Sequence, residues 1–395
     1  MVVSEYITCS ICDNQYRLRV GVGFDQYQKH YFDCINCEQP IVFALRALAP
    51  NAHVETCENC VISTTNTNNI VLNFHPNCAF DEVDLHDPMA FPSLQYQRMI
   101  APYMKMRPGK IQDVSSQFDV PNAPQLWNLV KSSLSTEKKG NTKSLKKLIL
   151  SYNTQRNKVI PIESISTTSD MVNEFLRSFF YPRINDCVTP VLELIDELDK
   201  KSLLTDFIIY YHENLKDENF ERYTSILTDY FRHRDHFGQL LYHARVYDED
   251  VDDKIVGSKG FDHIKLYYGQ VYESLTSNFT TLACLNNLAS GRAYDTFEKM
   301  SLNKYIKDVD KSKKHNPFKS VAIFDLFHEN LDSSLRNGSH HASIWRDEEQ
   351  IFYRSGGTGA KNDIPYSKYL HMCNKLTISL AALFIIELHL QKKSK

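Results

Sequence analysis

Met171-Val172-Asn173-Glu174-Phe175-Leu176-Arg177-Ser178-Phe179-Phe180 sets Met171, Phe175 and the Phe179-Phe180 pair at the three- and four-residue intervals of one helical face. The same spacing recurs at Val191, Leu194, Ile195 and Leu198, then at Leu203, Phe207, Ile208 and Tyr211. Further along, 220–247 continues it through Tyr223, Ile226, Leu227, Tyr230, Phe231, Leu240 and Leu241. The stretch 261–288 reads as another helix, and 376–390 is the most apolar of all. Long helices joined by short loops predict a bundle over 166–395.

Working back toward the N-terminus, the pattern weakens. Helical spacing begins at Gln125 with Leu126, Leu129, Val130 and Leu134, and resumes after the lysine-rich 137–143 at Leu145, Leu148 and Ile149. Residues 81–165 are expected to be a proline-rich connector with short helices, because Pro88, Pro92, Pro102 and Pro108 interrupt the apolar residues Phe91, Leu94, Tyr96 and Met99. Residues 1–80 hold seven of the ten cysteines, mostly as CxxC pairs, which in a long chain points to metal ligation rather than disulfides.

Cys9-x2-Cys12, a gap of 21 residues and Cys34-x2-Cys37 have the spacing of a four-thiolate zinc site. Two strands, 16–22 and 27–32, are expected to bring the two turns together, and the unit resembles a zinc ribbon. Cys57, Cys60, His75 and Cys78 offer a weaker second zinc site, or else a β-hairpin of 56–63 and 69–75 with incidental thiols. Four thiolates close a site against water, so this zinc is read as structural and not catalytic.

The 395 residues, 42% of them hydrophobic, can bury a large core, and a net charge of -3 confines any nucleic-acid surface to local clusters of Lys and Arg. Three such clusters are 135–147, 232–245 and 304–319. Arg232-His233-Arg234-Asp235-His236 is read as a charged helix face, and Lys311 to His315 with Lys319 as a solvated loop. No stretch reaches the roughly 18 to 20 uninterrupted apolar residues of a membrane span. The first residues lack the pattern of a signal peptide, so a cytoplasmic protein with no membrane partner is expected.

Arg336-Asn337-Gly338-Ser339-His340-His341 places a permanent cation beside two proton carriers. The apolar residues Ile323, Phe324, Phe327, Leu331 and Leu335 predict a helix over 320–336 that ends near Arg336, with Gly338 loosening the backbone beyond it. Short strands are expected at 342–345 and 350–353, then a glycine-rich loop at 356–359 and a last helix from Tyr366.

Arg-Asn, three residues and a histidine, set in a C-terminal helical bundle, resembles the HEPN superfamily over about 219–390. The expected architecture is therefore multidomain, a small β-rich zinc ribbon followed by a mainly α-helical HEPN-type bundle. Many members of that superfamily are metal-independent endoribonucleases, including toxins and abortive-infection proteins, and those with one motif pair two bundles. The resemblance implies an RNA hydrolase acting as a homodimer in antiviral or stress defence, answering to a phage or cellular trigger. Arg336 would stabilise the scissile phosphate, Asn337 would orient it and His341 would move the proton. His340 is the rival, since in a regular helix it lies about 40° from Arg336 against about 140° for His341. A non-catalytic binding regulator built on the same parts is the alternative.

Overall fold

The computed structural model describes residues 1–395 apart from 49, 65–68, 105–117, 160–161, 258–259, 342, 356–358 and 394–395. Pro108, Ala342, most of the loop between the two later expected strands and most of the glycine-rich loop lie outside the described residues.

Residues 2–74 form a β-rich module. In β1 (Val2–Cys9) and β2 (Gln15–Gly21) the apolar side chains alternate, so that Tyr16, Leu18 and Val20 all point inward. β3 (Tyr27–Asp33), β4 (Pro40–Leu48) and β5 (Asn51–Glu58) make a second, antiparallel sheet in that order. β6 (Cys60–Ile62) and β7 (Ile70–Phe74) join the first sheet on opposite sides, giving the order β6-β1-β2-β7. Phe32, Ile41, Phe43 and Leu45 of one sheet meet Ile7, Leu18, Leu72 and Phe74 of the other in a single core. The strands expected between the cysteine pairs exist, but β2 and β3 belong to different sheets instead of forming one ribbon hairpin.

The rest is mostly helical. The connector expected at 81–165 is more regular than its prolines suggested: α1 (Glu82–His86) and α2 (Pro92–Met104) precede α3 (Ala123–Lys138) and α4 (Thr142–Asn157). Pro92 opens α2 and Pro124 stands in the first turn of α3, where a missing N–H costs nothing. Thr167 caps α5 (Thr168–Phe179) by accepting from the Asp170 N–H, and the helix buries Met171, Val172, Phe175, Leu176 and Phe179.

α6 (Arg183–Lys200), α7 (Thr205–Asn214), α8 (Lys216–Arg232), α9 (Arg234–Val246), the short α10 (Phe261–Ile264) and α11 (Tyr267–Ala289) follow, and then the short α12 (Leu302–Asp308) and α13 (Asp325–His328). The 220–247 stretch is thus two helices, broken at His233. α15 (Tyr366–Lys392) is enclosed by α6, α8, α9 and α11. It is the one described helix long and apolar enough to cross a membrane, and 94% of its apolar window is buried in the bundle.

The β module sits firmly on the helices. Asp25 pairs with Arg234 of α9 and accepts the Asn122 N–H at 2.7 Å, the Tyr31 N–H donates to the Gly257 carbonyl at 2.8 Å, and Arg346 reaches Asp33 at 3.0 Å.

Candidate functional site

The first CxxC turn links β1 to β2 and the second links β3 to β4, so each sheet contributes one hairpin end. The turns are built alike. In each, the N–H of the first cysteine donates to the carbonyl five residues on (Asn14 and Gln39, both 2.9 Å), and the residue after the second cysteine turns left-handed, Asp13 at φ 58° and Glu38 at φ 59°. The sulfurs of Cys9, Cys12, Cys34 and Cys37 lie within 4.8 Å of one another, a group able to hold a metal ion. Buried Tyr16 locks the arrangement: its hydroxyl donates to Cys34 Sγ at 3.0 Å and accepts the Ile35 N–H at 3.0 Å. Burial works to raise the Cys34 pKa, but the Tyr16 hydroxyl and the N–H groups of Cys37 and Asn36 outweigh it and bring the thiol down to about 6.

Cys57, Cys60, His75 and Cys78 do not form a second group, which corrects that expectation. β6 and β7 stand at opposite edges of their sheet, three strand spacings or about 14 Å apart. Neither do they pair as the alternative hairpin. Cys57 is exposed beside the Tyr27 hydroxyl, and Cys60 lies 3.5 Å from the Val42 carbonyl. His75 packs against Tyr96 with 4.8 Å between ring centres and the rings tilted by 35°, and Cys78 faces Met99 Sδ at 3.6 Å in a separate core.

The second candidate lies in the bundle. The helix expected over 320–336 is instead a pair of single turns, at 322–324 and 325–328, followed by α14, whose range is Ser333–His340. Asp332 causes the break, because its side chain accepts from the N–H groups of Ser334 and Leu335 and starts a new helix there. Arg336 therefore sits in the second turn, and the helix runs through Gly338 to His340. Gly338 does not loosen it: a Cβ there would come within 3.0 Å of Tyr353 Cβ on β9 (Gln350–Arg354), so glycine permits close packing.

This regularity decides where the histidines go. Arg336 and His340 share a face one turn apart, whereas His341 occupies the position past the helix end, exposed. The Arg336 guanidinium is held by Glu273 of α11, donating from Nε at 2.5 Å and pairing through Nη2, and its Nη1 donates to Asn337 Oδ1 at 2.7 Å. His340 and Glu273 line one open cleft of about 550 Å³, with Lys131 of α3, Asp229 and Arg232 of α8, and Gln270 and Ser274 of α11. The His340 ring can lie against α11 because residue 269 is glycine; a Cβ would stand 3.0 Å from its Nε2.

Glu273, Lys131 and Gly269 carry no local sequence signal, being single residues on unremarkable helix faces. Arg232 does stand in the cleft, while Arg234 is turned inward to Asp25 and His236 is buried against Tyr31, so the expected charged face is divided between two helices. The Lys311–Lys319 loop is likewise corrected: Lys314 is buried and donates to the Tyr305 and Ile306 carbonyls, and Lys311 donates to Ser277 Oγ. No protein-family model matches the chain, and no curated protein or solved structure is significantly similar to it.

Proposed function

We propose that this protein is a metal-independent endoribonuclease of HEPN type, with Arg336 and His340 as the working pair and a structural zinc at Cys9, Cys12, Cys34 and Cys37. The observation that carries the reading is the shared helical face of Arg336 and His340, with His340 and Glu273, the carboxylate that holds Arg336, lining a cleft that also holds Lys131 and Arg232. In this reading the lysine and arginine take backbone phosphates and Arg336 spreads the negative charge that builds on the attacked phosphate. His340 moves a proton between the 2'-hydroxyl and the departing 5'-oxygen, a contribution of about 10² to 10⁴ in rate. The P–O5' bond breaks as the 2'-oxygen bonds to phosphorus, leaving a 2',3'-cyclic phosphate and a 5'-hydroxyl.

Glu273 neutralises Arg336 at rest, so a substrate phosphate must displace it or share the guanidinium. A second copy of the chain, a triggering partner and a role in antiviral or stress defence in the cytoplasm belong to the same proposal and rest on the resemblance of the motif. Four thiols at tetrahedral reach suit zinc among the common metals, and a closed thiolate set gives it a folding role.

The test is cleavage of total RNA without added divalent ions by wild type, Arg336→Ala, His340→Ala and His341→Ala. Wild type should cut, the first two variants should lose about 10²-fold or more, and His341→Ala should stay within a few-fold of wild type. Toxicity on expression, relieved by His340→Ala, gives a readout that does not require purified protein to be active. Equal cleavage by all four proteins, or neither cleavage nor toxicity from any, sinks the proposal.

A further inference from the structure

A groove of about 670 Å³ separates the Cys34–Cys37 turn of the β module from β8 (Ile344–Asp347) at the other end of the chain. Its floor is apolar, formed by buried Phe32, Leu72, Phe261 and Ile344 among others. Its walls are acidic. Among the described residues, Asp33, Glu38, Asp262, Asp347, Glu348 and Glu349 face only two permanent cations, Lys265 and Arg346. Those two are already engaged, Lys265 with Asp262 at 2.8 Å and Arg346 with Asp33 and Glu349 at 3.0 and 3.9 Å. Glu38 on one wall and Asp347 and Glu348 on the other are left exposed to solvent.

Two large apolar side chains stand open at the same place, Ile35 at 57% and Trp345 at 40% exposure. β8 is also the outer strand in the order β10-β9-β8, β10 being Lys361–Pro365, so one of its backbone edges is unmatched among the described strands. An extended segment can add to such an edge while alternate side chains enter the groove. Lys361 illustrates the contact on offer, its ammonium standing 3.7 Å from the centre of the Phe352 ring and 5.6 Å from that of Trp345.

We propose that this groove docks an extended, lysine- and arginine-rich segment of a partner polypeptide. Charge complementarity selects the occupant: the carboxylates attract cationic side chains and repel the phosphates of nucleic acid. The exposed isoleucine and tryptophan select a peptide with apolar residues between its charges over a simple polyamine. This groove is separate from the proposed ribonuclease site, since none of its lining residues lines the His340 cleft.

The chain reports on the groove itself. Of its two tryptophans Trp127 is buried, so changes in emission on adding a ligand follow Trp345. A short synthetic peptide of alternating arginine and valine should change that emission saturably, and its glutamate-for-arginine counterpart and a short single-stranded RNA should not. Asp347→Lys and Glu38→Lys, on opposite walls and both at exposed positions, should each weaken binding about tenfold, with Glu163→Lys, which does not line the groove, leaving it unchanged. Should a reversal unfold the protein, salt titration of wild type takes its place, and binding must weaken as ionic strength rises. Absence of saturation, equal affinity of the two reversals and wild type, salt-independent binding, or equal binding of the acidic peptide or RNA would each overturn the proposal.

Discussion

Glu387 shows how much one residue can ask of its surroundings. It lies on α15 with 1% of its surface exposed, and its carboxyl collects hydrogen bonds from Asn219 Nδ2 at 2.8 Å, Thr281 Oγ1 at 2.6 Å and the Tyr211 hydroxyl at 3.0 Å. Burial disfavours the charged form more than these donors favour it, and the pKa rises from 4.5 to about 7. The unfolded chain ionises first as pH rises, so stability from this group is whole below about 4.5 and is lost as pH climbs through about 7. At one unit per 1.36 kcal/mol, the loss approaches about 3 kcal/mol. Urea unfolding at pH 5 and pH 8 should show that difference in wild type and a clearly smaller one in Glu387→Gln. Identical pH dependence of the two proteins would refute the assignment. Glu387→Leu is expected to be worse than either at pH 5, since it leaves three buried donors without an acceptor, each costing about 1 to 3 kcal/mol. Nothing in the apolar run 376–390 distinguishes Glu387 from a solvated residue; its partners come from α7, α8 and α11.

At the scale of elements, α14 is placed by two glycines that let it pack closely on two sides. Gly338 lies on α14 itself and lets it approach β9, where an added Cβ would meet the Cβ of Tyr353, an atom that cannot swing away. Gly269 lies on α11, where the added Cβ would meet both the mobile end of His340 at 3.0 Å and the Cβ of Ser339 at 3.1 Å. Gly338→Ala should therefore destabilise the fold by about 1 to 3 kcal/mol through overpacking, less the gain in helix propensity of about 1 kcal/mol. Gly269→Ala should lower the midpoint of thermal unfolding no more than Gly338→Ala does, while RNA cleavage falls further than that small loss explains as His340 is pushed off its position. The same substitution thus costs stability at both sites and displaces a proton carrier only at Gly269; a fall in stability there with cleavage unchanged would rule out its role in seating His340. These elements also mark what the sequence could tell. Apolar spacing located α5, α8, α11 and α15 because each buries a broad face against many partners. It missed the start of α14, where Asp332 interrupts an apolar pattern that runs straight through from Ile323 to Leu335. The cap was visible as a residue type, but only its bonds to Ser334 and Leu335 say that it starts a helix. Which histidine faces Arg336 depended on that register.

For the whole molecule, the thiol cluster is the joint between two sheets. Each CxxC turn closes a hairpin of one sheet, so a bound metal fastens the β1-β2 end to the β3-β4 end across a core that is small compared with that of the bundle. The spacing of Cys9, Cys12, Cys34 and Cys37 was enough to find the four thiols that cluster, because a CxxC turn is local geometry. It could not exclude Cys57, Cys60, His75 and Cys78, because their separation follows from β6 and β7 choosing opposite edges, a matter of sheet order. Among the described residues, one group of thiols able to hold a metal ion is the consequence. The free energy of a thiolate zinc site, about 10 kcal/mol or more, rivals the whole stability of a small domain. Removing it with a chelator and a thiol reagent should release one equivalent of zinc and open residues 2–74 to protease, with the helical circular dichroism largely kept by the bundle. Cys34→Ser should reproduce this state, and Cys57→Ser should keep the metal and resist the protease as wild type does. Release of two equivalents, loss of metal from Cys57→Ser, or a bundle that melts together with the β module would show that the joint holds more than the two sheets.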